Sequence, residues 1–339
     1  MRHQRILQQL PDSRYSTERN GSKTMKVEKN KANRGKKVSE WTHFQKNFPM
    51  TLLALPTVLI MFVFNYIPLY GLILPFKKFS VTKGIIKSPW CGLKNFEFLT
   101  KSKTIIKAIE NTVLYNFTFI FLGALLSLVI ALMLYELGKR SVKVYQTSLL
   151  LPYFMSWVVV AYIVNALLDM DNGLLNALIV RLGGEKIFWY NDPKYWRPIL
   201  IIVNLWKGMG YTAVVYFAAL MGIDSSYFEA ARIDGAGKLA QIWYISIPLI
   251  RNIILTLIIL NLGKIFYGDF GLFYNVPMDS AALYDATDVV DTYVYRSLMN
   301  LGNVGMSATT GFCQSVLGFF LVLITNIAVK RFDSDSALF

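Results

Sequence analysis

The sequence has few of the residues from which metal centres and nucleophilic sites are built. Its 339 residues include two histidines and two cysteines. His3 and His43 both lie near the N-terminus, while Cys91 and Cys313 are far apart in the chain. No metal-ligand spacing results, and a disulfide between the two cysteines is not expected. Charged residues are also scarce, at 17% against about 25% in soluble domains. The sequence therefore gives no support to zinc chemistry or to a histidine-based catalytic triad.

Long apolar runs are present instead. Four of them contain no charged residue: Pro49–Phe76, Asn111–Tyr135, Val144–Leu168 and Thr309–Val329. Two weaker runs are Pro198–Ile223, which contains Lys207, and Ile247–Phe266, which contains Arg251 and Lys264. About 20 apolar residues in a helix cross the roughly 30 Å of hydrocarbon in a bilayer. The sequence thus predicts an all-α integral membrane protein with six transmembrane helices.

The distribution of charge predicts which way the chain faces. Residues 1–49 hold 12 Lys/Arg and 4 Asp/Glu, a net +8 of the total +14. The positive-inside rule places such a segment in the cytoplasm, and six spans return Lys330 and Arg331 to the same side. One loop does not follow this rule. Residues 77–110 carry eight Lys and two Glu, although this topology places them on the outer side of the membrane. We divide the chain into a basic cytoplasmic tail (1–48), a transmembrane domain (49–332) and a cytoplasmic C-terminal tail (333–339).

The basic tail has two interpretations. A segment of this charge can bind nucleic acid or anionic membrane lipid, or it can be a solvated retention signal. We favour the retention signal and expect no nucleic-acid partner. No short apolar segment with a small-residue cleavage site stands near the start, so the sequence predicts no cleaved signal peptide. Met25 offers a second start to the reading frame, which would place residues 1–24 outside the protein.

A segment between the fourth and fifth spans has clear signals of local structure. Residues 224–248 couple the fourth span to the fifth along the chain, and we name them the coupling loop. Ser226, followed three residues later by Glu229, forms a capping-box pattern and predicts a helix from Tyr227. Gly235 and Gly237 then predict the end of that helix and a turn. A second helix over Lys238–Ile245 is expected to lead to Pro248 at the start of the fifth span.

The sequence Glu229-Ala-Ala-Arg-Ile-Asp-Gly235, with Ile247-Pro248 further on, resembles the EAA loop of permease subunits in binding-protein-dependent ABC importers. Ile247 departs from that pattern, which usually has Leu before the proline. The resemblance implies a helix that docks into a cleft of a cytoplasmic ATPase, with Glu229 meeting a basic group. The residues it assigns to this contact are Glu229, Ala230, Ala231, Asp234, Gly235, Ala236 and Pro248.

Further segments are similar to carbohydrate-uptake permeases, above all to LplB-like and alginate-importer-like subunits for oligosaccharides or polysaccharide fragments. They include Pro68-Leu-Tyr-Gly71, Gly268-Asp-Phe-Gly271 and Asp288-Val-Val-Asp-Thr-Tyr-Val-Tyr295. The resemblance covers about residues 45–332 and implies the type I importer permease fold in a bacterial cell membrane. It also implies a second homologous permease, two ATPase subunits and an extracytoplasmic solute-binding protein.

No Gly-x-x-x-x-Gly-Lys-Ser/Thr loop is present, so this chain is expected to be no enzyme and to bind no cofactor; ATP and magnesium are expected in the partner ATPases.

Two other classes compete with this interpretation. A secondary transporter would show broken helices, coupling-ion ligands and internal repeats. A membrane-embedded lipid-modifying enzyme would need His, Asp and Glu clustered at one interface. The acids between Asp279 and Asp291 are the only candidates for such a cluster, and an exposed acidic loop that receives a binding protein explains them equally.

A sugar path through a membrane needs amides for hydrogen bonding and aromatic faces for stacking. We expect the fourth and fifth spans to contribute most contacts. The candidates are Tyr153, Trp157, Asn165, Asn204, Trp206, Lys207, Tyr211, Tyr216, Asn261 and Tyr267. The spacing of Asn204, Lys207 and Tyr211 favours one shared helix face. Lys207, a cation inside a span, leaves three roles open: snorkelling to the outer headgroups, pairing with Asp169 or Asp269, or facing the solute.

Overall fold

The structure, a computed structural model, describes residues 48–332 of the chain. The predicted tails, apart from Phe48, lie outside the described residues. Within the described range the backbone is helical, and its only β pairing is an isolated antiparallel bridge between Lys77 and Trp90. The predicted all-α class is confirmed.

The chain divides into two units, and the first ends at Tyr66. Its described part consists of helix α1 (Phe48–Met61), which contains Pro56, and a π-helical turn at Phe62–Tyr66. Every side chain from Leu52 to Tyr66 is exposed. So long an exposed apolar surface is expected where lipid or another membrane subunit covers it.

The second unit contains the remaining described helices. Its α-helices are α2 (Gly84–Lys87), α3 (Glu97–Lys101), α4 (Lys103–Tyr135), α5 (Lys139–Phe154), α6 (Trp157–Leu168), α7 (Leu174–Arg181), α8 (Trp196–Met221), α9 (Ser225–Ile233), α10 (Lys238–Gln241), α11 (Ile247–Leu262), α12 (Tyr284–Thr287), α13 (Val290–Leu301) and α14 (Val304–Phe332). Short 3-10 segments occupy Ile67–Phe76, Lys94–Phe96, Trp189–Asn191, Pro193–Tyr195 and Ala281–Leu283, and π-helical turns occupy Ile242–Ser246 and Gly271–Asn275.

Five helices of the described range are long and apolar enough to cross a membrane, and a bent pair makes a sixth if it counts as one span. The five are Leu52–Phe76, Lys103–Tyr135, Pro193–Met221, Lys238–Leu262 and Val304–Arg331. The fifth predicted span differs most in its bounds, because the helix begins at Lys238 and ends at Leu262 rather than running from Ile247 to Phe266. The first, second, fourth and sixth predicted spans each correspond to one of these helices.

The third predicted span, Val144–Leu168, is wrong as a single helix. Two helices, Arg140–Phe154 and Trp157–Leu168, meet there at an angle of 98°. Met155 and Ser156 are extended, and the Ser156 hydroxyl accepts the backbone N–H of Val159 at 3.3 Å. This side-chain cap starts a new helix in a different direction. Apolar composition predicts how long a span is, but it does not reveal such an internal cap.

The packing of α5 against α8 depends on a glycine. A Cβ built on Gly210 of α8 would lie 1.9 Å from the carbonyl oxygen of Leu149 in α5. The absent side chain allows the two backbones to approach closely, as small residues do in membrane helix pairs.

We expect Gly210→Ala to lower the folded fraction of the protein, because the added methyl group must push the two backbones apart. Overpacking of this kind costs about 1–3 kcal/mol. Thermal unfolding of the detergent-solubilised protein, followed by size-exclusion chromatography, measures the effect. Gly208→Ala is the matched control, since a Cβ on Gly208 meets nothing within 4 Å. Equal thermal stability of the two variants would contradict the close contact seen here.

One lysine of the basic 77–110 loop is internal. Lys77 is 4% exposed, and its Nζ donates to the carbonyl oxygens of Ile85 at 3.0 Å and Ile86 at 2.7 Å. The same nitrogen lies 5.0 Å from the centre of the Trp90 ring. Lys77 therefore stabilises the loop by binding two carbonyl groups of α2, which gives this cation a structural role independent of membrane topology.

Candidate functional site

A polar cavity of about 380 Å³ lies between α4, α8, α11 and the segment that follows α11. Its volume falls within the range of small-molecule sites, roughly 300–1,000 Å³. Four of the predicted path residues line it, namely Asn204, Tyr216, Asn261 and Tyr267. The polar lining residues that the sequence did not indicate are Asn116, Ser127, Thr212, Lys264 and Asp269.

The second and fourth predicted spans lie side by side in the wall of the cavity. Residues of α4 between Asn116 and Ser127 face residues of α8 between Asn204 and Tyr216. The predicted fourth and fifth spans supply ten of the nineteen lining residues, and α4, which packs along α8, supplies six more. The missed signal was Asn116, an amide within an otherwise apolar run.

Asn116 fixes the segment that closes one end of the cavity. Its Nδ2 donates to the carbonyl oxygens of Ile265 at 2.9 Å and Tyr267 at 2.8 Å. Tyr267 is held further by a hydrogen bond of 2.8 Å between its hydroxyl and Ser315 Oγ of α14. These bonds satisfy backbone groups where α11 has ended, and they join α4, α11 and α14 around the cavity.

Tyr216 lies in the wall of the cavity, but its hydroxyl does not open onto it. The residue is fully buried, and the hydroxyl, which is inaccessible to water, has no hydrogen-bond partner among the described residues. A buried hydroxyl without a partner costs free energy, about 1–3 kcal/mol in proteins. The lining groups that a ligand can reach are therefore the half-buried and exposed polar side chains, among them the amides of Asn204 and Asn261.

Four other predicted residues form a second group, which we name the Lys207 cluster: Tyr153, Trp157, Lys207 and Tyr211. Lys207 Nζ donates to the carbonyl oxygen of Tyr153 at 2.8 Å and lies 5.1 Å from the centre of the Trp157 ring. Tyr153 stacks on Tyr211 with ring centres 4.7 Å apart. Trp157 Nε1 donates to Asp269 Oδ2 at 2.9 Å.

The structure therefore separates residues that the helical spacing had placed on one face. Asn204 lines the cavity, whereas Lys207 and Tyr211 pack against the bent pair α5–α6. Residues three apart on a helix differ by about 60° in direction, which is enough to face different neighbours. Asn165 and Trp206 belong neither to the cavity nor to the Lys207 cluster.

The first helix of the coupling loop begins two residues earlier than its sequence pattern indicates. Helix α9 starts at Ser225, and Asp224 caps it by accepting the backbone N–H of Ser226 at 2.9 Å. The predicted Ser226–Glu229 capping box and the start at Tyr227 are therefore wrong, because Asp224 precedes Ser226 and takes the cap position. The hydrogen bond from the Ser226 backbone lowers the pKa of the Asp224 carboxyl below its ordinary value.

The predicted stop at Gly235 is confirmed. Gly235 has φ +81°, its N–H donates to the Arg232 carbonyl at 3.1 Å, and the Ala236 N–H donates to the Ala231 carbonyl at 2.8 Å. This pair of bonds is the Schellman arrangement, which favours glycine in the left-handed position. Gly237, at φ −70°, instead precedes α10 as its cap.

The second loop helix continues without interruption into the fifth span. The π-helical turn Ile242–Ser246 joins α10 to α11, and Pro248 stands in the first turn of α11. Proline has no backbone donor and clashes with the carbonyl four residues earlier in a regular helix. A π-helical turn just before it accommodates that defect, so a force on the loop acts directly on the span.

Contacts with α4 and its following residue hold the loop in place. Phe228 is 7% exposed, and its ring centre lies 5.7 Å from that of Tyr135. Lys238 Nζ and Glu136 Oε2 form an ion pair of 2.5 Å. Gln241 Nε2 donates to the Ala236 carbonyl at 2.9 Å across the turn. Two of these contacts, from Phe228 and Lys238, join the loop to the end of α4, and the third joins the two helices of the loop across the turn.

Much of the surface of the coupling loop is exposed. Glu229, Ala230, Asp234, Gly235 and Pro248 are exposed, while Ala231 and Ala236 are half-buried. Ile233 and Leu239 on either side of the glycine turn are 87% and 73% exposed. An apolar knob with small side chains and two carboxylates suits a groove on another protein.

The acids between Asp279 and Asp291 are not simply an exposed loop. Asp288 is 6% exposed and pairs with Arg296 at 2.5 Å, and the same guanidinium pairs with Asp279 at 2.9 Å. Asp291 accepts the Gly268 backbone N–H at 2.6 Å, and burial raises the pKa of its carboxyl. Three of these acids thus stabilise the fold of this segment.

The bundle of apolar helices, the polar cavity inside it and the exposed loop together define a multi-span membrane transport protein. The comparison with known proteins gives the family. A family model for the binding-protein-dependent transport system inner membrane component matches residues 123–334. The chain belongs to this family, and it is the permease subunit of an ABC transporter.

Three similar proteins are informative. The chain is 32% identical over 285 residues to the polygalacturonan/rhamnogalacturonan transport system permease protein YteP of Bacillus subtilis strain 168, covering 84% of this chain and 88% of that protein. It is 31% identical over 302 residues to Protein LplB of the same organism, covering 89% and 94%. A crystal structure of a bacterial alginate ABC transporter, in complex with an alginate pentasaccharide-bound periplasmic protein, matches with a TM-score of 0.78, 28% identity, and 86% and 97% coverage. The resemblance to carbohydrate-uptake permeases is confirmed.

Proposed function

We propose that this subunit moves oligosaccharides or polysaccharide fragments inward through the cavity between α4, α8 and α11. The accessible amides of Asn204 and Asn261 carry this proposal, since they offer donors and acceptors to the hydroxyl groups of a carbohydrate. The ring of Tyr267 adds an apolar face. Relatives named for polygalacturonan and alginate transport support the same substrate class.

The energy for transport comes from partner subunits. Two ATPase subunits, which hold ATP and magnesium, dock on the exposed face of the coupling loop at Glu229, Ala230, Ala231 and the Gly235 turn. A second homologous permease completes the path. An extracytoplasmic solute-binding protein delivers the sugar, as the alginate transporter in complex with its periplasmic protein suggests.

This arrangement fixes the orientation of the chain in the bacterial cell membrane. The coupling loop faces the cytoplasm, and the segment from Gly263 to Asn303 faces outward. With six spans, both termini then lie in the cytoplasm, in keeping with the net +8 of residues 1–49.

Transport by the complete complex in proteoliposomes tests the function. The chain is co-expressed with its neighbouring genes, purified with the subunits that accompany it, and supplied with ATP inside or outside the vesicles. The probes are trigalacturonate, alginate pentasaccharide, neutral maltotriose and sn-glycerol 3-phosphate. We expect ATP-dependent uptake of at least one oligosaccharide; uptake of sn-glycerol 3-phosphate alone, or uptake driven by an ion gradient without ATP, would contradict the proposal.

We expect Asn204→Leu to weaken the uptake of the transported oligosaccharide while leaving the fold intact. The change removes the amide and keeps a side chain of nearly the same size, half-buried in the cavity wall. Loss of one neutral hydrogen bond to substrate predicts a KM about fivefold higher. The measurement is the concentration dependence of uptake. Unchanged KM would show that the amide does not touch the sugar.

A further inference from the structure

The break between α5 and α6 leaves backbone carbonyl groups without helical partners. Helix α5 ends at Phe154 and α6 begins at Trp157, at an angle of 98°. The last carbonyls of a helix lack donors, and the interior of a membrane offers little water to replace them. One of these carbonyls, that of Tyr153, accepts Lys207 Nζ at 2.8 Å. Lys207 thus caps the end of α5 at its negative pole.

The same cation holds the first residue of α6. Its Nζ lies 5.1 Å from the centre of the Trp157 ring and 5.6 Å from that of Tyr153, distances at which a cation is attracted to an aromatic face. Trp157 also packs closely against a glycine, because a Cβ on Gly271 would lie 2.1 Å from Trp157 Cδ1. The indole ring is therefore in close contact with Gly271 as well as with Lys207.

The held indole in turn fixes a carboxylate of the cavity. Trp157 Nε1 donates to Asp269 Oδ2 at 2.9 Å, and Asp269 Oδ1 accepts the Leu272 backbone N–H at 3.3 Å. Asp269 lines the cavity. Each carboxylate oxygen has two acceptor positions, so the fixed Asp269 keeps capacity to accept hydroxyl groups of a sugar.

We propose that Lys207 is a positioning residue for substrate, which seats Trp157 so that Trp157 orients the Asp269 carboxylate toward a sugar hydroxyl in the cavity. This inference rests on the proposed carbohydrate transport. It differs from the three roles that the sequence left open, because Lys207 acts on the cavity through Trp157. Lys207 is not one of the residues that line the cavity, and its Nζ donates to the Tyr153 carbonyl.

Uptake kinetics of three variants and their combination test the proposal, with the oligosaccharide that the wild-type complex transports as probe. We expect Lys207→Met and Trp157→Phe each to raise KM about tenfold, the effect of losing a hydrogen bond to a charged group, with little change in the maximal rate. The double variant is expected to show no more than the larger single effect, because both changes break one chain of contacts. Lys207→Arg keeps the charge and is expected to restore KM to within about threefold of wild type.

Lys186→Met is the matched control, since Lys186 is exposed and pairs only with Asp171 among the described residues. Effects of Lys207→Met and Trp157→Phe that multiply in the double variant would overturn the proposal. An unchanged KM in Trp157→Phe, which removes one N–H and keeps an aromatic ring, would also overturn the proposal. This result tests the proposal even if the Lys207→Met protein does not assemble. Failure of the wild-type complex to transport any oligosaccharide would instead overturn the proposed function.

Discussion

A Glu229→Arg permease is expected to reach the membrane but to lose ATP-dependent sugar uptake by about a hundredfold or more. Glu229 is exposed on α9, and the proposed docking places it against a basic group of the ATPase. Reversal of its charge replaces an attraction with a repulsion, which costs several kcal/mol at an interface. The amount of ATPase that co-purifies with the permease is expected to fall together with uptake. Both quantities are measured on the same preparation.

Two further variants separate docking from general damage. Glu229→Gln removes the charge without reversing it, and we expect it to retain part of the uptake. Glu185→Arg reverses an exposed charge on the opposite side of the proposed topology and is expected to leave ATPase co-purification unchanged. Full uptake by Glu229→Arg, with a normal amount of bound ATPase, would exclude α9 as the docking helix.

Gly235→Val is expected to reduce the rate of sugar uptake by about thirtyfold, because it strains the backbone at this position. Gly235 has φ +81°, and a Cβ there would meet no atom within 4 Å, so the change introduces strain without a clash. A β-branched residue in this conformation costs about 2 kcal/mol. The chain is then expected to leave the Schellman turn, and the angle between α9 and α10 is no longer fixed. The readouts are uptake rate and bound ATPase.

Two neighbouring variants provide the comparison for this prediction. Gly235→Asn is expected to retain most of the uptake, because asparagine tolerates left-handed backbone better than other side chains. Gly237→Ala is expected to be mild, since Gly237 has φ −70° and a Cβ there is also unobstructed. If valine at 235 and alanine at 237 behave alike, the turn geometry has no role in coupling.

The sequence predicted the spans well because length and apolar composition decide them. It did not predict the sharp bend at Met155 and Ser156, where a serine cap competes with helix continuation inside an unbroken apolar run. The start of α9 shows a similar competition. Asp224 and Ser226 are both good cap residues, and only the three-dimensional arrangement decides between them.

The cavity could be predicted only in part, because its residues come from helices far apart in the sequence. Asn204 and Asn261 were identifiable as polar groups in predicted spans, and the structure brings both to one wall. Asn116 and Asp269 were missed as lining residues, since their position depends on how α4 and the segment after α11 pack. The chain of contacts from Lys207 to Asp269 depends on the bend between α5 and α6, which composition does not show.

The most direct test of a docking role for the coupling loop is photo-crosslinking from Tyr227, which is 56% exposed on α9. Benzoylphenylalanine replaces Tyr227 in the complete complex, and mass spectrometry identifies the crosslinked protein. We predict a crosslink to a subunit that carries a phosphate-binding loop and hydrolyses ATP. A crosslink to the solute-binding protein instead, or a purified transport-competent complex without any ATP-hydrolysing subunit, would contradict the proposed coupling.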